Sequence, residues 1–150
     1  MLQFSIKHFN ELTTLELYSL LSLRAEVFVV EQCCAYQDCD HKDQNSYHLL
    51  GYDMNELVAY ARLLPVGMSY EHYCSIGRVA TSLNARNKGY GKQLMIEAIR
   101  FCDHHFSNGI KISAQAYLEK FYQALGFITV STPYLEDDIP HIAMIKEKQL

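Results

Sequence analysis

A turn with two glycines, followed by a helix, is the segment of this sequence whose residue types point most directly to a ligand. Residues 86–91 read R-x-x-G-x-G, with Gly89 and Gly91 as the glycines. Glycine lets a backbone turn approach an anion closely, and the helix after it directs unpaired N–H groups and its positive dipole end toward that anion. A pyrophosphate would suit this turn, whose residues are Arg86, Asn87, Lys88, Gly89, Tyr90 and Gly91.

Two other phosphate-binding motifs fit this segment less well. A Rossmann fingerprint needs G-x-G-x-x-G, whereas Lys92, Gln93 and Leu94 follow Gly91 here. The phosphate-binding loop of nucleotide hydrolases needs Gly-Lys followed by Ser or Thr, whereas Gln93 follows Lys92. A turn of this kind also arises often by chance, so its context in the chain must identify the ligand.

A second motif lies one strand and one helix downstream, where residues 121–127 read F-Y-Q-A-L-G-F. The succession of a strand, R-x-x-G-x-G, a helix, a strand and F-Y-x-x-L-G-F resembles the acetyl-CoA-binding motifs of the GNAT superfamily of N-acetyltransferases. Four more stretches resemble its ElaA-like group, namely residues 24–32 (R-A-E-V-F-V-V-E-Q), 36–40, 57–63 (L-V-A-Y-A-R-L) and 140–144 (P-H-I-A-M). The likeness covers nearly the whole chain.

The resemblance implies a single GNAT domain over residues 1–150, an α/β fold whose central twisted mixed sheet has helices on both faces. It implies acetyl-CoA as co-substrate, with the pyrophosphate held by the glycine turn from Arg86 through Lys92 and with Tyr122 near the CoA sulfur as general acid. The strand before the turn is expected to offer backbone groups to the pantetheine arm at Val79, Ala80 and Thr81. One departure is the Q-A-Y sequence at residues 115–117, where the family often has an asparagine.

Acyl transfer from a thioester to an amine needs a neutral amine and a proton for the leaving thiolate. Tyr122 can supply that proton, since a phenol with a pKa of ~10 is still protonated when a thiolate with a pKa of ~8.5 departs. The alternative is that Tyr122 only marks the amphipathic edge of a buried helix. As catalytic base we expect Glu31, which follows an apolar run and would gain a raised pKa at a cleft. The other candidates are Glu26, His48, His141 or a water held by one of them.

Charged side chains near the middle of the chain allow two interpretations. Arg24, Arg62 and Arg78 stand on elements expected to line the sheet, where they either pair with carboxylates or shape the acceptor pocket. The segment before the hairpin is acidic, and we expect its field to attract a cationic amine unless it is merely a solvated loop. Its carboxylates are Glu26, Glu31, Asp38, Asp40 and Asp43.

Periodicity predicts the elements that position these motifs. Strands are expected at residues 1–7, 47–52, 57–64, 73–80, 110–115, 127–131 and 142–146. Helices are expected after a capping box of Thr13 and Glu16, from near Tyr90, and at residues 118–125. A strand, helix and strand in the middle predict a locally parallel pair flanked by antiparallel hairpins, with a loop at residues 33–46.

Composition narrows the classes of function. With 13 Lys and Arg against 17 Asp and Glu, the net charge of −4 disfavours nucleic acid as a partner. No apolar run approaches the ~20 residues that cross a bilayer and no export signal is visible, so we expect a cytoplasmic protein without membrane association. The five cysteines lack the paired spacing of structural zinc, so no metal is expected.

The sequence as a whole predicts an acetyl-CoA-dependent N-acetyltransferase that acts on a primary amine by direct attack. Its expected partner is a small-molecule or peptide amine, and a homodimer is left open. The alternatives are a noncatalytic acyl-CoA-binding regulatory module and, more distantly, a phosphate-binding module unrelated to CoA. The presence of Tyr122 favours catalysis.

Overall fold

A computed structural model describes residues 1–148, which form eight strands and three α-helices. The strands are β1 (Gln3–His8), β2 (Tyr47–Asp53), β3 (Glu56–Leu64), β4 (Ser75–Thr81), β5 (Ile110–Gln115), β6 (Ile128–Thr129), β7 (Tyr134–Glu136) and β8 (Ile139–Lys146). The helices are α1 (Thr14–Arg24), α2 (Tyr90–His105) and α3 (Glu119–Ala124). Within these residues no helix is both long enough and apolar enough to cross a membrane.

The strands form two antiparallel sheets that meet at one point. The first sheet has the order β1-β2-β3-β4, and the second has β5-β8-β6 with β7 paired to β8. A single parallel bridge joins them, between Cys74 and Ile110, where the Lys111 amide donates to the Cys74 carbonyl at 2.9 Å. The predicted parallel pair is confined to this bridge. Beyond it β4 and β5 diverge, so the edge of β4 that faces β5 has no strand partner among residues 1–148.

Helices cover both faces of the first sheet because successive side chains of a strand point to opposite faces. Leu49 and Ala61 belong to a core that includes Leu94 of α2, whereas Leu50 and Tyr60, their sequence neighbours, belong to a core with α1. The first core continues into the second sheet through Ile112, Ile142 and Met144. The predicted mixed α/β fold with helices on both faces is thus confirmed.

The first helix begins at the predicted capping box. The Glu16 amide donates to Thr13 Oγ1 at 3.1 Å, and the Thr13 amide donates to Glu16 Oε1 at 2.8 Å. After Arg24 the helix widens into a π-helical segment, Ala25–Glu31. Segments of this kind often lie at functional sites. Here the segment carries Glu31 to the glycine turn.

Two hairpins have tight turns that set their registers. Asp53 pairs with Glu56, so the β2–β3 turn consists of Met54 and Asn55 alone, with φ of 50° and 66°. This pair of positive φ values matches the twist of the flanking strands. The second hairpin, β7–β8, was not predicted. Its turn is Asp137–Asp138, with φ of 51° and 61°, and it extends the last strand back from residue 142 to Ile139.

Candidate active site

A cavity of about 1060 Å³ opens where β4 and β5 diverge. Both sheets, the start of α2, α3 and the 33–46 loop contribute to its wall. Of the predicted site residues, Lys88 and Lys92 lie outside the lining. The others line it: Glu31, Val79, Ala80, Thr81, Arg86, Asn87, Gly89, Tyr90, Gly91 and Tyr122. The fold therefore brings the two sequence motifs to one cavity.

Strand β4 carries a bulge at the residues expected to hold the pantetheine arm. Tyr60 pairs with Ala80 and Arg62 with Gly77, so Arg78 and Val79 together oppose one residue of β3. Arg78 has a φ of 51°, an unfavourable value for a residue with a side chain. A bulge leaves a backbone group without its hydrogen bond to the neighbouring strand and turns that group in a new direction. The group can then bind a ligand.

The glycine turn has the backbone of an anion site. Gly89 caps α2 with a φ of 77°, and Asn87 also has a positive φ, of 64°. Lys88, which lies between them, does not have a positive φ. Alternation of this kind makes concave arrangements of N–H groups that bind anions. The first amides of α2 add unpaired donors, because N–H groups in the first turn of a helix have no partner within it. The Tyr90 hydroxyl donates to Asp53 at 2.6 Å and holds the turn against the β2–β3 hairpin.

Arg86 and Glu31, which both line the cavity, form a bidentate ion pair. The guanidinium nitrogens Nη1 and Nη2 lie 2.5 and 2.6 Å from the two Glu31 oxygens, and Nε donates to the Thr81 carbonyl at 3.2 Å. The hydrogen bonds from Arg86 lower the pKa of Glu31. The expectation of a raised pKa is therefore wrong, because the carboxylate is already neutralised by a cation. Glu31 ties the glycine turn to the first helix and is poorly suited to take a proton.

Tyr122 lies on α3, and its side chain is almost fully buried in the core that includes residues of both sheets. Its ring packs edge-on against Phe121 and Phe127, with centroids 5.0 and 6.0 Å away. Burial raises the pKa of Tyr122 to about 12. The hydroxyl therefore keeps its proton at neutral pH, as a general acid must.

Three arginines and three aspartates form a closed network beside the cavity. The pairs are Arg24–Asp38 at 2.9 Å, Arg24–Asp43 at 2.7 Å, Arg62–Asp40 at 2.8 Å, Arg62–Asp43 at 2.9 Å, Arg78–Asp38 at 2.7 Å and Arg78–Asp40 at 3.5 Å. Ion pairing of the arginines is confirmed. Since three positive charges match three negative ones, these aspartates give the loop no net negative field. Asp38, Asp40 and Asp43, on which the expected attraction of a cationic amine depends, are therefore paired rather than free.

Two other base candidates lie away from the cavity wall. His48 is fully buried, with Nδ1 2.6 Å from the Tyr60 hydroxyl and Nε2 2.9 Å from the Asp43 carbonyl. Burial lowers the pKa of His48, so it serves as a neutral part of the network. Glu26 is exposed on the π-helical segment and does not line the cavity.

A polar cluster on the second sheet was only partly foreseen. Ser113, Glu136 and His141 line the cavity together. His141 is one of the candidate bases, whereas the sequence predicts no strand at residues 134–136 and so does not mark Glu136 as a site residue. The signal was present in Asp137 and Asp138, since acidic residues tolerate the positive φ of a two-residue hairpin turn.

Comparisons with known proteins identify the family. A family model described as an acetyltransferase (GNAT) domain matches residues 15–148. The protein ElaA of Escherichia coli strain K12 is 45% identical over 150 residues, covering 98% of this chain and 97% of ElaA. The crystal structure of E. coli ElaA is 43% identical with a TM-score of 0.91, covering 98% of this chain and 100% of that one. The crystal structure of an acyl-CoA N-acyltransferase from Pseudomonas aeruginosa is 44% identical with a TM-score of 0.91, covering 97% and 99%. This chain therefore belongs to the GNAT acetyltransferase family, and within it is similar to ElaA.

Proposed function

We propose that the protein transfers an acetyl group from acetyl-CoA to a primary amine of a small molecule or peptide. The observation that carries this proposal is the meeting of the glycine turn, the β4 bulge and Tyr122 around one cavity. The similarity to an acyl-CoA N-acyltransferase supports an acyl-CoA donor. Acetyl as the acyl group, a single domain over residues 1–150 and a cytoplasmic location belong to the same proposal.

Two parts of the donor, the pyrophosphate and the pantetheine arm, would find binding surfaces at this cavity. The pyrophosphate would lie on the amides at the start of α2, beside Asn87 and Gly89. The pantetheine arm would run along the free edge of β4, where Val79, Ala80 and Thr81 line the cavity. An extended chain with amide groups can pair with an open strand edge as an added strand does.

The β4 bulge and Tyr122 can also take part in the reaction itself. The backbone N–H released by the bulge at Arg78 and Val79 can donate to the thioester oxygen as negative charge develops there. The amine attacks the carbonyl carbon, the C–N bond forms and the C–S bond breaks. Tyr122 then donates its proton to the departing thiolate.

The first test is whether acetyl-CoA binds the folded protein. At about a hundred times its Kd, a ligand adds about 2.7 kcal/mol to the free energy of unfolding. For a chain of this size the melting temperature should rise by roughly 5 to 10 °C, measured by scanning fluorimetry. Acetyl-CoA at millimolar concentration without any effect would contradict the proposal. Thiol release with a panel of amines then distinguishes an enzyme from a noncatalytic acyl-CoA-binding module.

The second test removes the proton donor. Tyr122→Phe keeps the buried ring and loses the hydroxyl, so the acetyl-CoA melting shift should persist while kcat falls about 10²-fold. Tyr18→Phe is the matched control, because Tyr18 is exposed on the outer side of α1. An unchanged kcat in the Tyr122 variant across the pH range would show that water protonates the thiolate.

A further inference from the structure

The polar cluster on the second sheet offers a base that the glycine turn and Tyr122 do not supply. The reaction proposed above requires one, since a primary amine is mostly protonated near neutral pH. Glu31 is paired with Arg86, while His48 and Glu26 do not line the cavity. His141 does line it.

His141 is fixed in one orientation by its neighbours on three strands. It lies on β8 opposite Gln115 of β5 and Tyr134 of β7. Its ring stacks on that of Tyr134, with centroids 6.3 Å apart and planes 21° apart. Nδ1 is 2.6 Å from the Ile139 carbonyl, which can only accept, so Nδ1 carries a hydrogen. The basic lone pair of the neutral ring is therefore at Nε2.

Glu136 is placed to stabilise the protonated form of this ring. Its Oε2 lies 3.3 Å from His141 Nε2. Ser113 supports the arrangement, with Oγ 2.6 Å from the Tyr134 hydroxyl and 3.4 Å from Glu136 Oε1. The histidine side chain is 9% exposed and that of Glu136 is 52% exposed, so the carboxylate can move aside for an amine while the ring stays in place.

We propose that His141 is the catalytic base for the amine acceptor and that Glu136 is its positioning residue; this inference rests on the proposed acyl transfer. An alkylammonium loses one proton to His141 Nε2, and the neutral amine then attacks the thioester. Tyr122 protonates the thiolate, and the second proton lost by the amine nitrogen restores the Tyr122 hydroxyl. The imidazolium returns its proton to solvent. The net products are an amide, CoA thiol and one proton.

Other groups facing this part of the cavity also carry charge or titrate. From β5, Ser113 and Gln115 line the cavity and are neutral, and from β7 Glu136 lines it while Tyr134 stacks on the His141 ring. Arg62 and Arg78 are paired with aspartates. Further titratable residues of the cavity lining are Cys34, Tyr36, Asp40, Lys42, Tyr70 and Asp137.

The test is His141→Gln, assayed by CoA thiol release with spermidine, lysine and a tripeptide as amine probes. Glutamine keeps a polar side chain near the Ile139 carbonyl but cannot take the proton. We expect kcat/KM for the amine to fall about 10²-fold near neutral pH, while the KM for acetyl-CoA is unchanged. The ratio of wild-type to variant kcat/KM should fall toward one as pH rises, because the free amine then forms without a base. A variant weakened only by structural damage would show a constant ratio.

Two further variants keep the test decisive. His104→Gln is the matched control, since His104 is exposed on α2 and does not line the cavity. If His141→Gln unfolds, Glu136→Gln carries the same test at a half-exposed position. It should lower kcat/KM roughly tenfold, the value of about one charge-assisted hydrogen bond. Wild-type rates in whichever variant folds would overturn the role of His141 while leaving acyl transfer standing. Absence of thiol release by the wild-type protein, by contrast, would overturn the acyl transfer itself.

Discussion

Gly91→Glu should abolish the stabilisation by acetyl-CoA while leaving the fold intact. Gly91 lies in the first turn of α2 and lines the cavity. A Cβ built there meets only Phe121 Cζ and Thr81 Oγ1, both at 4.0 Å, so the protein itself has room for a side chain. A carboxylate at this place would repel the pyrophosphate and occupy its space. The gain of about 2.7 kcal/mol at a hundredfold excess over the wild-type Kd should disappear.

Two control variants separate the causes of that loss. Gly91→Gln has nearly the same volume without the charge, so the difference between the two variants measures electrostatic repulsion. Ile96→Glu adds a carboxylate to the exposed side of α2, away from the cavity, and should keep the melting shift. A normal acetyl-CoA shift in Gly91→Glu, measured by scanning fluorimetry, would show that the donor binds elsewhere.

Asp43→Asn should destabilise the protein by about 3 kcal/mol, a fall in melting temperature of roughly 6 to 12 °C. Asp43 Oδ1 accepts from Arg24 at 2.7 Å and from Arg62 at 2.9 Å, and both arginines are nearly inaccessible to water. Breaking a buried ion pair leaves charge without compensation, which typically costs about 3 to 5 kcal/mol. We expect the low end because each arginine keeps a second aspartate. Urea denaturation measures the difference.

The pH dependence of the stability difference between the wild type and Asp43→Asn independently tests the role of the Asp43 ion pairs. Burial opposes ionisation of Asp43, but the hydrogen bonds from Arg24 and Arg62 outweigh it and lower its pKa. A carboxylate with a lowered folded pKa stabilises fully above its unfolded pKa of ~3.9, and the contribution is lost as pH falls through the folded pKa. The difference in the free energy of unfolding between the wild type and Asp43→Asn should therefore shrink at acidic pH. Asp138→Asn, at an exposed turn, should have an effect within about 0.5 kcal/mol.

Local sequence patterns were sufficient to predict much of the fold. The capping box of Thr13 and Glu16, the β2–β3 hairpin and the helix after Gly89 all lie where the sequence predicted them. Each of these depends on interactions within a few residues, such as a side chain satisfying a nearby amide or a glycine adopting a positive φ. Hairpin β7–β8 was missed because Tyr134–Glu136 is a short strand with no buried residue, so no alternating apolar face marks it.

The sequence by itself determined the two motifs, their order and hence the family and the residues expected around the donor. Only the tertiary structure decided how the charged side chains pair, because their partners lie far apart in the chain. Arg86 meets Glu31 across 55 positions, and Arg78 meets Asp38 across 40. Those contacts neutralise the charge of Glu31, which was the expected base, and the charges of the aspartates in the 33–46 loop. They leave His141 and Glu136, brought to the cavity by strand pairing, in the position for acceptor chemistry.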